Sequence, residues 1–204
     1  MLDNYQSEQT SANATRSEGS EGSKSKKSGC LGFFIDTIET ILLALVLFLA
    51  INALSARVRV ENVSMQPTLK PGEFLLVNRV AYRFGNPSIG DIIVFHAPGE
   101  NDTDYIKRVI GLPGDQVTVS DGIVYVNNQP LYEPYIAEAP RYTGSWDIPA
   151  DHYFVLGDNR NNSSDSHMWG FIPRDDIVGR ALFIYWPLSE MTILRSSVVV
   201  QAVQ

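Results

Sequence analysis

From Leu31 to Ala56 the chain reads LGFFIDTIETILLALVLFLAINALSA, and Ile41 to Ala50 within it is wholly apolar. A helix of about 26 residues rises roughly 39 Å, enough for the ~30 Å hydrocarbon core of a bilayer. The pattern predicts one transmembrane helix over residues 31–56. Asp36 and Glu39 fall in its first third, within reach of the headgroups, where a carboxylate costs far less than at mid-bilayer. A secretory signal peptide is the rival reading, since Ala53-Leu54-Ser55-Ala56 supplies small residues after the run, but the long polar leader argues against it. Residues 1–30 are rich in Ser, Glu, Asn, Thr and Lys and hold too little apolar surface to offset chain entropy, so a disordered tail is expected. Lys24, Lys26 and Lys27 ahead of the span favour a cytoplasmic tail, and Arg57 and Arg59 behind it weaken that bias.

Beyond the span the apolar period changes to two. RVRVENV, EFLLVNRVAY, DIIVFHA, DYIKRVIGL, QVTVSDGIVYVNNQPL, HYFVLGDN and DIVGRALFIYW read as strands, and Asp121-Gly122 marks a hairpin. The stretch YEPYIAEAPRYTGSWDIPAD, residues 132–151, reads as irregular. Many short strands with little helix predict a mainly β fold, an antiparallel sandwich or barrel.

Composition narrows the function classes. A formal net charge of -7 over 204 residues, with no basic stripe, argues against a nucleic-acid partner. The single cysteine, Cys30, rules out an intrachain disulfide and a Cys/His metal cluster; a serine acting with a lysine base, the chemistry weighed below, needs neither metal nor cofactor.

The candidate chemistry centres on Ser64 in VENVSMQPTLKPGE. It is the eighth residue after Ala56, so it works within roughly 26 to 29 Å of the span's end, and a substrate presented at the lipid bilayer suits it. A nucleophilic serine needs a base. Of the histidines, His96 and His152 flank strands, whereas His167 lies beside Asp165 in GDNRNNSSDSHMWG and allows a Ser64, His167, Asp triad. The other option is a lysine whose pKa is lowered by burial. Only Lys107 lies inside a strand, where alternation puts Tyr105, Lys107 and Val109 on one face and Ile106, Arg108 and Ile110 on the other. Taken from the residues alone, Lys107 also fits a snorkelling or ion-paired strand residue, and Gly157 to Gly170 fits a loop of Asx turns.

Three stretches together, SMQPTL with GEFLLVNR, YIKRVIGLPGD and GDNRNNSSDSHMWG, resemble the type I signal peptidases, membrane-anchored Ser/Lys proteases that remove signal peptides from exported proteins. The boxes occur in the family's order after one span. The resemblance implies Ser64 as nucleophile, Lys107 as general base, and Ser163 as the hydroxyl that hydrogen-bonds the lysine. Met65 would pack close to the dyad, and Asp158, Arg160 and Asp165 would be structural polar residues. It further implies an antiparallel β catalytic core over 57–204 with a smaller β-rich excursion at about 116–151, signal peptides with small side chains near the cut as partners, and a functional monomer. It places the catalytic domain outside a plasma membrane, with thylakoid or organellar inner membranes as alternatives. Two positions depart from the pattern. Asn62 stands where many members have Ser or Gly, so the oxyanion hole would combine the Ser64 N–H with the Asn62 amide. His167 stands where some have Arg, which makes its pairing with Asp165 pH-dependent. The opposing expectation is a catalytically inactive, membrane-anchored β-domain that binds or scaffolds.

Overall fold

The computed structural model describes residues 30–99, 103–196 and 199–200; the tail expected over 1–30 falls almost wholly outside them. Its elements are α1 (Cys30–Leu54), β1 (Ser55–Arg59), β2 (Phe74–Asn78), β3 (Ile92–His96), β4 (Asp104–Gly111), β5 (Gln116–Ser120), β6 (Ile123–Val126), β7 (Gln129–Tyr132), β8 (Gly144–Asp147), β9 (His152–Leu156), α2 (Ser166–Trp169), β10 (Ile172–Pro173), β11 (Ile177–Trp186), β12 (Thr192–Ile193) and β13 (Val199–Val200). The chain divides into a unit of residues 1–43, whose described part is helix, and a unit of 44–204, which carries the remaining turns of α1 and the strands.

Gly32–Leu54 of α1 is long and apolar enough to cross a membrane. Its hydroxyls stay satisfied inside the helix, with Thr37 Oγ1 donating to the Phe33 carbonyl and Thr40 Oγ1 to that of Asp36, as a span in lipid requires. The helix ends at Leu54, two residues short of the expected Ala56. Ser55 Oγ turns back to the Ile51 carbonyl, while Ser55 and Ala56 already pair with Asn78 and Val77 of β2.

The larger sheet runs β1-β2-β11-β3-β4-β9-β10 with β12 added on β11, and the smaller runs β13-β7-β6-β5-β8. Every pairing among the described residues is antiparallel, which gives the mainly β fold that the alternation predicted. β3 is buried on both faces: Ile92 and Val94 join a core with Met65, Leu69, Leu75 and Val77, whereas Ile93 and Phe95 join another with Val109, Tyr153 and Val155. β9 divides likewise, sending Phe154 and Leu156 into a third core with Val117, Val119, Val124 and Val126 from the small sheet. Burying those faces is what fixes strand register, because a one-residue slip would expose them all.

The Asp121-Gly122 turn joins β5 to β6, both residues in left-handed conformation. A second turn of that kind at Asn127-Asn128 joins β6 to β7. β8 lies in the stretch expected to be irregular; its Trp146 packs on Phe154 with ring centroids 5.0 Å apart, but the strand carries no apolar alternation.

Candidate active site

Ser64 stands on a loop closed at its base by two backbone bonds, Val60 N–H to the Glu73 carbonyl and Gly72 N–H to the Val60 carbonyl, each 2.8 Å. Met65 and Leu69 point down from this loop into the core, buried completely or nearly so. That anchoring turns the Ser64 side chain toward a cleft of about 550 Å³, lined among others by Val60, Asn62, Ile106, Lys107 and Asn162.

Lys107 comes from β4, the strand paired with β3 at Ile93. Its Nζ donates to Ser64 Oγ at 2.8 Å and to the Ile106 carbonyl at 3.2 Å. The residue is only 4% exposed. Burial lowers its pKa from 10.5 to about 8, against the opposing pull of Asp165 and Asp158. A lysine with that value is neutral in about one molecule in ten at pH 7, a much larger share than an ordinary lysine offers. Ser64 and Lys107, proposed to act together on sequence grounds, are thus in hydrogen-bond contact.

The polar loop after β9 clamps the serine from behind. Asn159 N–H donates to the Ser64 carbonyl at 3.0 Å, and Asn159 Nδ2 to the Val63 carbonyl at 3.2 Å. Asp158, fully buried, is gripped bidentately by Arg108, with Nε to Oδ1 at 2.8 Å and Nη2 to Oδ2 at 2.7 Å, and also accepts from Thr68 Oγ1. One carboxylate therefore ties the serine loop, the lysine strand and the polar loop together. Arg160 pairs with Glu133 rather than with an aspartate of its own loop, and its Nε donates to the Gly157 carbonyl. Asp165 caps α2 and accepts from the Gly157 N–H at 2.9 Å.

His167 joins Asp165 through Nδ1 at 2.6 Å and stacks on Tyr142, with ring centroids 4.0 Å apart. It does not bond Ser64, whose hydroxyl accepts from Lys107. His96 pairs with Asp104, and His152 with the Ala150 carbonyl.

One expected contact is not formed. Ser163 is buried, yet its Oγ bonds no group among the described residues, and Lys107 Nζ donates to Ser64 and to the Ile106 carbonyl. Ser163 Oγ lies instead against Gly157, where an added Cβ would come within 2.2 Å of it and 2.4 Å of the Ser64 carbonyl. The Asn62 side chain is exposed at the cleft and bonds no protein group among the described residues.

Sequence reasoning missed Thr68, Arg108, Glu133, Gly157 and Asn159. Arg108 is the nearest miss: its place between Ile106 and Ile110 on the face opposite Lys107 is the signal that could have marked it as a buried partner for a carboxylate.

Comparison with known proteins gives a consistent result. The family model described as "Signal peptidase, peptidase S26" matches residues 34–186. Signal peptidase I of Leptolyngbya laminosa is 47% identical over 164 residues, covering 76% of this chain and 80% of that protein. Probable signal peptidase I-1 of Synechocystis is 45% identical over 179 residues, covering 83% and 91%. Thylakoidal processing peptidase 1 of Arabidopsis thaliana is 38% identical over 152 residues, covering 69% and 45%. A crystal structure of a signal peptidase I from Enterococcus faecalis aligns over 47% of this chain and 97% of that one, at 32% identity and a TM-score of 0.44. The chain belongs to the signal peptidase family, peptidase S26, whose members remove signal peptides from preproteins.

Proposed function

We propose that the chain cleaves signal peptides by a Ser64–Lys107 dyad through an acyl-enzyme. The observation that carries this reading is the 2.8 Å contact between Lys107 Nζ and Ser64 Oγ, made by a buried lysine whose pKa is about 8. Neutral Lys107 takes the Ser64 proton as Oγ bonds to the scissile carbonyl carbon, and the resulting oxyanion collapses with loss of the amine, which the lysine protonates. Water, activated by the same lysine, then attacks the ester and releases the signal peptide. The Ser64 N–H and the Asn62 amide hold the oxyanion, and Ser163 takes up the lysine's hydrogen bond once Ser64 is acylated.

The substrate enters as an extended strand. β1 lies at one end of the large sheet, and β4 pairs with β9 only from Arg108 onward, so Asp104 to Lys107 keep a free edge. Residues of both edges line the cleft, which suits an added strand held by main-chain hydrogen bonds. The catalytic domain is residues 57–204 with 116–151 as the smaller subdomain, and it acts as a monomer. α1 is a single membrane span with its N-terminus in the cytoplasm and the β domain on the outer face of the plasma membrane. Fractionation of the source cells decides between that membrane and a thylakoid.

The test is cleavage of a preprotein bearing an Ala-x-Ala site. Ser64→Ala and Lys107→Ala should each abolish it while His167→Ala retains it. Cleavage surviving Lys107→Ala but lost in His167→Ala would overturn the base assignment, and a wild type without cleavage would favour the inert β-domain.

A further inference from the structure

This acidic chain gathers cations in one place away from Ser64. A pocket of about 490 Å³ is lined by Ala53 in the last turn of α1, by Arg79, Arg83 and His96, and by Arg174 with Asp175. Arg174 is structural: its Nη2 donates to the carbonyls of Tyr82 and Gly85 at 2.9 and 3.0 Å, and its Nη1 to Asn86, which pins the turn that presents Arg83. His96 is held by Asp104 at 2.9 Å. Arg79 and Arg83 differ, being exposed with guanidinium groups that bond no protein acceptor among the described residues. Among the described residues, the carboxylates at this pocket are that of Asp175, which lines it, and that of Asp104, which already faces His96.

Two observations identify the occupant. The Arg79 N–H donates to the carbonyl of Leu54, the last residue of α1, at 3.0 Å, so the pocket begins where the apolar helix ends. Phe84, next to Arg83, is 94% exposed. A soluble anion would account for the arginines but not for a bare phenylalanine beside them. A bilayer accounts for both: arginine forks match phosphate oxygens bidentately, and an aromatic ring settles at the headgroup–acyl boundary.

We infer that Arg79 and Arg83 bind the phosphate of an anionic phospholipid in the leaflet around the end of α1, with Phe84 set into the acyl boundary beside it. This inference rests on α1 being a membrane span and not on the Ser64–Lys107 assignment. The bound lipid fixes the β domain against the leaflet from which substrates are presented.

Native mass spectrometry of the full chain released from zwitterionic detergent micelles doped with phosphatidylglycerol or phosphatidylcholine tests it. Wild type should retain phosphatidylglycerol in preference to phosphatidylcholine, and the R79Q/R83Q pair should lower that preference by about tenfold or more, at roughly 1 kcal/mol per cation. Arg79→Lys with Arg83→Lys should keep most of the preference, and Phe84→Ser should weaken retention of both lipids. Unchanged cleavage of a short peptide by R79Q/R83Q confirms that the variant is folded. Equal retention of the two lipids by wild type, an undiminished preference in folded R79Q/R83Q, or displacement of the lipid by millimolar inorganic phosphate would each overturn the inference, the last by pointing to a free-phosphate site.

Discussion

On the dyad proposed above, Ser64 depends for its reactivity on a lysine that folding has stripped of water. Because burial is the largest influence on Lys107 and lowers its pKa to about 8, the sign of the pH effect is fixed: below that value the amine carries a proton and cannot act as a base. For a short peptide substrate, kcat/KM should therefore climb about tenfold per pH unit on the acid side and level off above about pH 8. A profile already flat from pH 5 to 9 would remove Lys107 from the base role. At Asn62 the expected change lies in turnover: Asn62→Ala should lower kcat by roughly 10²- to 10³-fold, as loss of an oxyanion donor does, and an unchanged kcat would leave the Ser64 N–H as the working donor. Gly157 needs its missing Cβ for a different reason. An alanine there would press on the Ser64 carbonyl at 2.4 Å, backbone that cannot swing aside, so Gly157→Ala should cost about 10²-fold in kcat through misplacement of the nucleophile, with circular dichroism unchanged.

At the scale of elements, Arg108 and Asp158 hold the site's three pieces in register. Both are essentially inaccessible to water, and removing one member of a buried pair leaves an uncompensated charge at a cost of about 3–5 kcal/mol. Denaturant unfolding in detergent should show a loss of that size for Asp158→Ala and for Arg108→Ala. The double variant should lose clearly less than the two singles added together, because the residues contact each other. The strands were readable in advance wherever one face is apolar, as in β2, with Leu75 and Val77 buried, and β5, with Val117 and Val119 buried. β8 was not, since GSWD offers one large apolar side chain and gains its place by pairing with β5. Lys107 could be singled out because it is a cation inside an apolar strand. The partners of Asp158 and Arg160 could not, because Arg108 and Glu133 lie 50 and 27 residues away along the chain, and nothing local encodes a pairing at that distance. Ser163 shows the converse limit: the sequence motif implied a contact with Lys107, and side-chain geometry directs the amine elsewhere.

The whole molecule joins a span to a site with no connecting linker, since α1 ends at Leu54 and β1 begins at Ser55. Ser64 then follows within nine residues of strand and loop, and on the function proposed above this keeps the cleft close to the place where a preprotein's signal segment would leave the bilayer. If proximity is part of substrate choice, a ten-residue Gly/Ser insertion between Leu54 and Ser55 should matter more for membrane-inserted preproteins than for soluble peptides. Such a linker has a root-mean-square span of roughly 17 Å and lets the β domain wander relative to the leaflet. In proteoliposomes the insertion should reduce preprotein cleavage by about tenfold, through a lower effective concentration of the site at the membrane surface. Cleavage of a soluble peptide by the same preparation should stay within about twofold of wild type, because the residues around Ser64 and Lys107 are untouched and the reaction then depends only on diffusion to the cleft. Equal losses on the two substrates would mean that the insertion has damaged the fold. Equal retention would mean that the span serves only to keep the enzyme in its membrane, and that substrates are chosen entirely by the cleft beside Ser64.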